Sequence, residues 1–572
     1  MDFKEQVAEL LSKQTGLSKE EILALITVPP QGMGDYAYPC FVLAKQQKKA
    51  PNLVSNELMH KISAPFIEKV EAKGPYLNIF LAKTALSSSV LEGIFSGKTL
   101  GVKLGSGKVM VEYSGPNTNK PLHVGHLRNN SLGLAISNLL EETGNEVVKA
   151  NLINDRGVHI CKSMLAYKLF ASERDPEKEH IKTDHFVGEM YVIYSKKLEE
   201  DPSLEQKAQE MIQLWEKGDK ETIALWKKMN KWAVSGLEET YKLFGSKFDV
   251  KFFESEMFKK QLGKKIIEEG LEKKVFRHED NGAVIALLEP ELPNKVLLRG
   301  DGTSLYATND LGVTQEKFDS FKLDRSIWVV ANEQDLYFKQ LFAIFKKLGR
   351  KWADKCYHMS YGMVNLTTGK MKSREGTVVD ADDLINEVKA LALKEIDSRY
   401  KELSQKEKEK RATAIALAAI KFYLLKNDAK KDMMFEPEKS ISFEGETGPY
   451  IQYTYARAKS ILRKAKNEKI DLKKLKKADF SLLSHEKEKE LVVALGAFNG
   501  AAQKSWEELS LHPLCHNLLA IAEKFNSFYH EVPVLKAENK EEILARLALV
   551  EATTILLKTG LEILDIEAIE EM

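Results

Sequence analysis

An α/β protein built round a parallel sheet, with a small α/β unit before it, a helical insertion inside it and an all-helical bundle after it, is the fold class the sequence predicts. Three observations carry it: a strand–helix–strand run from Val109, a return of strand-like segments after a long helical stretch, and helical periodicity in almost every window from about Asp383 onward. The short apolar strand VMVEYS, the loop GPNTNKP, a helix opened by His126 and ending near Gly144, and the buried-type strand VVKANLI follow one another. That order is the βαβ unit of a parallel sheet, because parallel neighbours need a crossover long enough for a helix. The segments AVIALL, KVLLR, LYAT and SIWVVAN are expected to complete the sheet. Before it, a helix from Phe3 to Lys13, the turn-rich PPQGMGDYAYP, a helix from Phe41 to Lys48 and a strand from Tyr76 to Leu81 form a unit of their own. The expected domains are residues 1–100, 101–385 with a helical insertion at about 162–262, and 386–572.

A chain of 572 residues exceeds the roughly 250–300 residues at which single cores stop growing, so three domains are the natural expectation. No stretch approaches the roughly 18 uninterrupted apolar residues of a membrane span, and MDFKEQVAELLSKQTG mixes charged and apolar residues, unlike a signal peptide. A soluble, cytoplasmic protein is expected, without membrane partners. Cys40, Cys161, Cys356 and Cys515 lie far apart with no CxxC pair, so neither a disulfide framework nor a zinc knuckle is indicated, and no bound metal is expected. Charge is balanced at 85 basic against 84 acidic residues, so any nucleic-acid contact must come from local patches. The lysine-rich KAKNEKIDLKKLKKAD reads better as a solvated loop or helix face than as an RNA-binding tail.

The most informative stretch is HVGH, residues 123–126, between a parallel strand and a helix N-terminus. Backbone N–H groups and the positive end of the helix dipole converge there on anions. His123 and His126 can both face a polyphosphate and donate to charge that moves onto departing pyrophosphate, while Gly125 leaves room for an adenine ring. Alone, a four-residue match is as well explained by chance. The second element is KMKSREGTVV, residues 370–379, which places Lys370, Lys372 and Arg374 on a short loop suited to clamping phosphates; a solvated basic loop would look similar. The two in this order, each at a strand exit, are harder to obtain by chance.

Together they resemble the HIGH and KMSKS signatures of class I aminoacyl-tRNA synthetases. The surrounding VEYSGPNTNKPLHVGHLRNN, LYATNDLG, NEQDLYFKQLF, TGPYIQYTYAR and the closing Met572 are similar to the arginyl-tRNA synthetase family. Two positions depart from its pattern: KMKSREG relaxes KMSKS, and Asn309 stands where the family usually places arginine. The resemblance implies a Rossmann-like catalytic domain, an N-terminal domain that touches the tRNA elbow and a helical anticodon-binding domain. It implies ATP with Mg²⁺, L-arginine and tRNA(Arg) as substrates and partners, a monomer, and activation that requires bound tRNA. His123, Gly125, His126, Met371 and Lys372 are then the ATP contacts, with Lys370, Lys372 and Arg374 serving catalysis beside the two histidines.

A guanidinium is a planar, permanently charged fork of donors, so a selective pocket needs carboxylates opposite it. Glu112 at a strand end and Asp310 after LYAT supply them, with Tyr306 able to pack on the cation; by resemblance Asn117 and Gln334 hold the α-amino and α-carboxylate groups. Glu112 alone would be an ordinary strand-end acid. A charge-reading pocket can discriminate by roughly 10⁴–10⁵, so no editing site is expected. Tyr450, Tyr453 and Arg457 fall on one helical face, with stacking surfaces for unpaired bases or, alternatively, a core face. Tyr529 and Met572 join that surface by resemblance. The GDYA turn, residues 34–37, fits a structural turn as well as an RNA contact. Two rivals remain: another HxGH nucleotidyltransferase, which would lack the helical tail, and a catalytically dead synthetase-like binding module, against which both intact signature loops argue.

Overall fold

The computed structural model describes residues 3–30, 32–97, 103–302, 305–366, 379–537 and 539–572. Lys370, Met371, Lys372 and Arg374 therefore lie outside the described residues. Among the described residues, five parallel strands form the central sheet, in the spatial order Val250–Phe253, Glu146–Ile153, Lys108–Glu112, Arg325–Ala331, Cys356–Tyr361. Numbered along the chain this is 3-2-1-4-5. The order reverses between Lys108–Glu112 and Arg325–Ala331, and a crevice opens beyond the carboxyl ends of strands at such a switch point.

The strands are apolar because both sheet faces are covered. Val109 and Val111 point into one core while Met110, between them, points into another, the two-residue alternation of a pleated strand. Helix Val124–Glu142 makes the crossover to Glu146–Ile153 and buries Leu132, Ile136 and Leu139 in the first core. That core also contains Ile451, Leu518 and Leu547 of the C-terminal bundle. A helix so placed has no solvated face, which explains its lack of clear amphipathicity.

One charged residue is sealed into this packing. Arg128 is 0% exposed; its Nη1 donates to the carbonyls of Gly362 (2.8 Å) and Met363 (3.2 Å), and its Nη2 to those of Ala429 and Lys431 (2.9 Å each). The guanidinium thus joins the crossover helix to the backbone leaving the last sheet strand and to the backbone after helix Gln405–Leu425.

Other parts follow the composition. The N-terminal unit carries an antiparallel sheet in the order Tyr36–Pro39, Tyr76–Leu81, Ile67–Lys73 over a core of Val7, Leu11, Ile22, Leu43 and Val54. The insertion helices Val158–Phe170, Thr183–Glu200, Ser203–Glu216 and Lys220–Phe244 have a core around Met164, Phe186 and Met190. In the lysine-rich stretch, Leu475 anchors the short 3₁₀ helix Leu472–Lys477 while its lysines face solvent.

Three expectations are corrected. AVIALL and KVLLR do not join the parallel sheet; Val284–Ala286 and Lys295–Leu298 pair antiparallel, with Phe276–His278, in a separate sheet. The few residues between them permit a hairpin but not a crossover. LYAT is no strand, since Tyr306 opens helix Tyr306–Phe321. The stretch 162–262 is not helical throughout: Val250–Phe253 within it is the edge strand of the central sheet. Among the described residues no helix is long and apolar enough to cross a membrane.

Replacing Arg128 by Met would remove the guanidinium from four carbonyls, two of those hydrogen bonds being buried, and should cost about 2–5 kcal/mol. Chemical denaturation of the full chain should report this as a lower midpoint, and an unchanged midpoint would contradict the bracing role.

Candidate active site

Strand Lys108–Glu112 ends in a turn in which Ser114 (φ 78°) and Gly115 (φ 57°) take left-handed conformations. Side chains hold the turn open: the Asn129 side-chain oxygen accepts from the Ser114 N–H (2.5 Å), and that of Asn151 from the Gly115 N–H (3.1 Å). Asn129 also donates through Nδ2 to the carbonyl of Val329 (2.7 Å) on the neighbouring strand, so it spans the switch point. The chain then rises to His123, which caps helix Val124–Glu142.

The cap is reciprocal. The Gly125 N–H donates to His123 Nδ1 and the His123 N–H donates to His126 Nδ1, each at 3.1 Å, and the ring centroids lie 3.9 Å apart. An imidazole that accepts at Nδ1 carries its proton on Nε2, so each ring presents an N–H donor away from the cap. Burial, with the nearby Lys120 charge, brings His123 down to about 4; burial and the neighbouring His123 push His126 well below its ordinary value. Both are neutral donors at physiological pH. Gly125 leaves the His123 ring its place, because a Cβ there would lie 2.9 Å from His123 Cε1 and push the ring aside.

His123, Gly125 and His126 line a cleft of about 1260 Å³ together with Glu112, Asp310 and Gln334. Glu112 is hydrogen-bonded to the ammonium of Lys317, which is 2% exposed and lies 4.9 Å from the centre of the Phe252 ring. Asp310 accepts a hydrogen bond from the Tyr337 hydroxyl. Burial raises its carboxyl to about 6 even though Tyr337 and Lys317 oppose the rise. Asp310 and Lys317 sit two turns apart on helix Tyr306–Phe321, so one helix face supplies both an acid and the counter-ion of the other acid.

Two expected residues stand outside the lining. Tyr306 is 65% exposed, one turn before Asp310 on the same face, and Asn117 is exposed but bridged to the cleft-lining Asn154. The described flanks of the KMKSREG stretch both reach the cleft: Val364 and Asn365 on one side and Val379 on the other. The Val124 N–H donates to the carbonyl of Val379, and the Ala381 N–H to that of Leu122, each at 3.0 Å, so the outgoing flank runs antiparallel to the histidine motif.

In the bundle, the Arg457 guanidinium lies 4.6 Å from the ring centre of Tyr453 and 5.1 Å from that of Tyr529, and its Nη2 donates to the Tyr453 hydroxyl at 2.8 Å. Asn526 joins Arg457 to Tyr450 by hydrogen bonds to both. Tyr450, Tyr453, Arg457 and Tyr529 are therefore one cluster on helices Gly448–Asn467 and His512–Glu531, with Tyr529 38% exposed. Met572 is partly buried against the core that holds Leu384 and Ile415.

Sequence reasoning missed Arg128, Asn129, Lys317 and Tyr337. Arg128 and Asn129 had a readable signal, a polar run inside an otherwise apolar helix directly after HVGH. Lys317 and Tyr337 had none, since each acts on a carboxylate distant in sequence or on another helix.

A 3-2-1-4-5 parallel sheet with a histidine-capped helix N-terminus at its switch point is the arrangement of a class I aminoacyl-tRNA synthetase catalytic domain. Family models match in register: "tRNA synthetases class I (R), catalytic domain" over residues 91–436, "DALR anticodon binding domain" over 451–572 and "Arginyl tRNA synthetase N terminal domain" over 1–81. The chain is 45% identical to the arginine–tRNA ligase of Treponema denticola, over 96% of this chain and 95% of that one. It is 39% identical to that of Borreliella afzelii, over 97% and 96%. The solved arginyl-tRNA synthetase of Thermus thermophilus superposes with a TM-score of 0.82 at 27% identity, covering 100% of both chains. The chain belongs to the arginine–tRNA ligases and attaches arginine to tRNA(Arg).

Because the Gly125 position touches the His123 ring, Gly125→Ala should displace that ring and lower kcat about 10²-fold, the usual consequence of a misplaced catalytic group. Steady-state aminoacylation would measure it, with circular dichroism to establish an intact fold; full activity would contradict the cap geometry.

Proposed function

We propose that this cleft activates arginine, with His123 and His126 on the ATP polyphosphate and Glu112 and Asp310 on the guanidinium. The observation that carries the reading is their placement in one cleft: neutral N–H donors at a helix N-terminus, and a buried acid whose charge is costly until a cation arrives. Lys317 already neutralises Glu112, so Asp310 is the acid a permanently charged side chain stabilises most. Gln334 and Asn117 hold the α-carboxylate and α-amino groups, and Tyr306 covers the cation. Met371 and Lys372 complete the ATP site, and Lys370, Lys372 and Arg374 draw charge from the leaving pyrophosphate, with Mg²⁺ carried in on the nucleotide.

In the reaction, an arginine carboxylate oxygen attacks the α-phosphorus and the bond to pyrophosphate breaks. The terminal 2′-hydroxyl of tRNA then attacks the arginyl carbonyl and AMP leaves. Positioning and electrostatics dominate such a phosphorus transfer. The N-terminal unit contacts the tRNA elbow, while Tyr450, Tyr453, Arg457, Tyr529 and Met572 serve the anticodon loop; the enzyme works as a cytoplasmic monomer.

Activation itself depends on bound tRNA in this reading. The core shared by the crossover helix and the bundle supports it, because RNA held by the bundle bears on the element that carries the histidines. Exchange of labelled pyrophosphate into ATP should be near background with arginine alone and appear on adding tRNA(Arg); robust exchange without RNA would refute the coupling.

The guanidinium assignment makes a pH prediction. Asp310 must be ionised to pair with arginine, so affinity is full above about pH 6 and falls as pH drops through that value. Asp310→Asn should flatten this profile and weaken arginine binding by about 2–5 kcal/mol. Calorimetry at several pH values tests both, and arginine binding unaffected by the substitution would place the carboxylate elsewhere.

A further inference from the structure

The insertion meets the active site through a charge cluster outside the cleft. Helix Thr183–Glu200 begins with the run Lys182, Thr183, Asp184, His185. The Lys182 ammonium donates to Asp382, to the Thr240 hydroxyl and, at 3.3 Å, to Asp184. Thr240 donates to the other Asp382 oxygen at 2.9 Å. His185 Nε2 lies 3.4 Å from Asp380 and 3.3 Å from Asp382. Asp184 is buried where a Cβ on Gly236 would sit 2.3 Å from its carboxylate oxygen, so helix Lys220–Phe244 can approach only with glycine there.

Asp380 and Asp382 are the outgoing end of the backbone that pairs with the histidine motif. Asp380 caps helix Ala381–Arg399 by accepting from the N–H groups of Asp382 (2.8 Å) and Asp383 (3.3 Å). It also stands opposite His123 in an antiparallel bridge flanked by the two 3.0 Å hydrogen bonds between residues 379–381 and 122–124. An imidazole and two carboxylates this close could suggest a metal site. The Lys182 ammonium bonded to Asp382 and Asp184 already places a cation among those acids, so the cluster is read as an ion network of this chain's own residues. Against burial, which raises it, His185 and Lys182 hold the Asp382 carboxyl down to about 2.

We propose that Lys182 and His185 of the insertion are positioning residues for nucleotide activation. They hold Asp382 and Asp380 at the end of the segment whose backbone, at residues 379–381, pairs with residues 122–124 and so sets where the His123 ring points. The inference rests on the reading of His123 as a phosphate ligand.

The test is a double-variant cycle in the full chain, by aminoacylation at saturating arginine and tRNA. Lys182→Met should lower kcat about 10–100-fold with the KM for arginine nearly unchanged, and Lys182→Arg should recover most of the loss. Combined with His123→Ala, Lys182→Met should cause no further loss, because both act through the same ring. Additive losses, an unchanged kcat in Lys182→Met, or a loss confined to arginine KM would each overturn the inference. If Lys182→Met does not fold, Thr240→Val, which removes one hydrogen bond to Asp382, enters the same cycle with a smaller loss read in the same way. His123→Ala alone separates the two ideas. If it leaves kcat intact, the phosphate reading and this inference both fall; if it lowers kcat while neither insertion variant does, only the positioning role falls.

Discussion

The structure hangs on a guanidinium in its interior. Arg128 is buried with its charge satisfied by four carbonyls from two other segments, and a buried charge tolerates little departure from the geometry that satisfies it. The N-terminus of helix Val124–Glu142 is therefore held in place relative to the last sheet strand and the first long bundle helices. Its first turn lines the cleft with His123, Gly125 and His126, and its flanks share one core with the bundle. The cleft and the anticodon-binding domain are joined through one helix.

The cleft sorts its charges with the same economy. His123 and His126 could be cations, yet their Nδ1 atoms are spent on the helix cap and burial favours the neutral form, so they stay fixed hydrogen-bond donors. Of the two acids, one is neutralised by Lys317 and the other is left costly by burial. The arrangement is ready for a single permanent cation. On the proposed reading, a neutral side chain would leave the Asp310 charge without a counter-ion, which would be the basis of discrimination by charge.

What the sequence revealed was local or periodic. The βαβ unit, the bundle and the N-terminal strand from Tyr76 to Leu81 were legible because burial on known faces imposes a period, and HVGH because a helix N-terminus needs particular residues. AVIALL was misplaced because a short apolar run looks alike in a parallel sheet and a hairpin. The strand Val250–Phe253 hid between long helices. Lys317 was invisible because its partner, Glu112, lies on another element and nothing in QEKF distinguishes it from a surface lysine. The ion network from Lys182 to Asp382 escaped for the same reason: its members come from three elements that only the fold brings together.

The crossover helix and the bundle form one cooperative body joined by a common core and by Arg128. Native-state amide hydrogen exchange across denaturant concentrations measures this directly, because segments of one cooperative unit open with a common free energy. Helix Val124–Glu142 and bundle helices Gln405–Leu425 and Gly448–Asn467 are predicted to share their highest-energy opening. Bundle helices that open at markedly lower free energy than the crossover helix would show that the two are separate cooperative units.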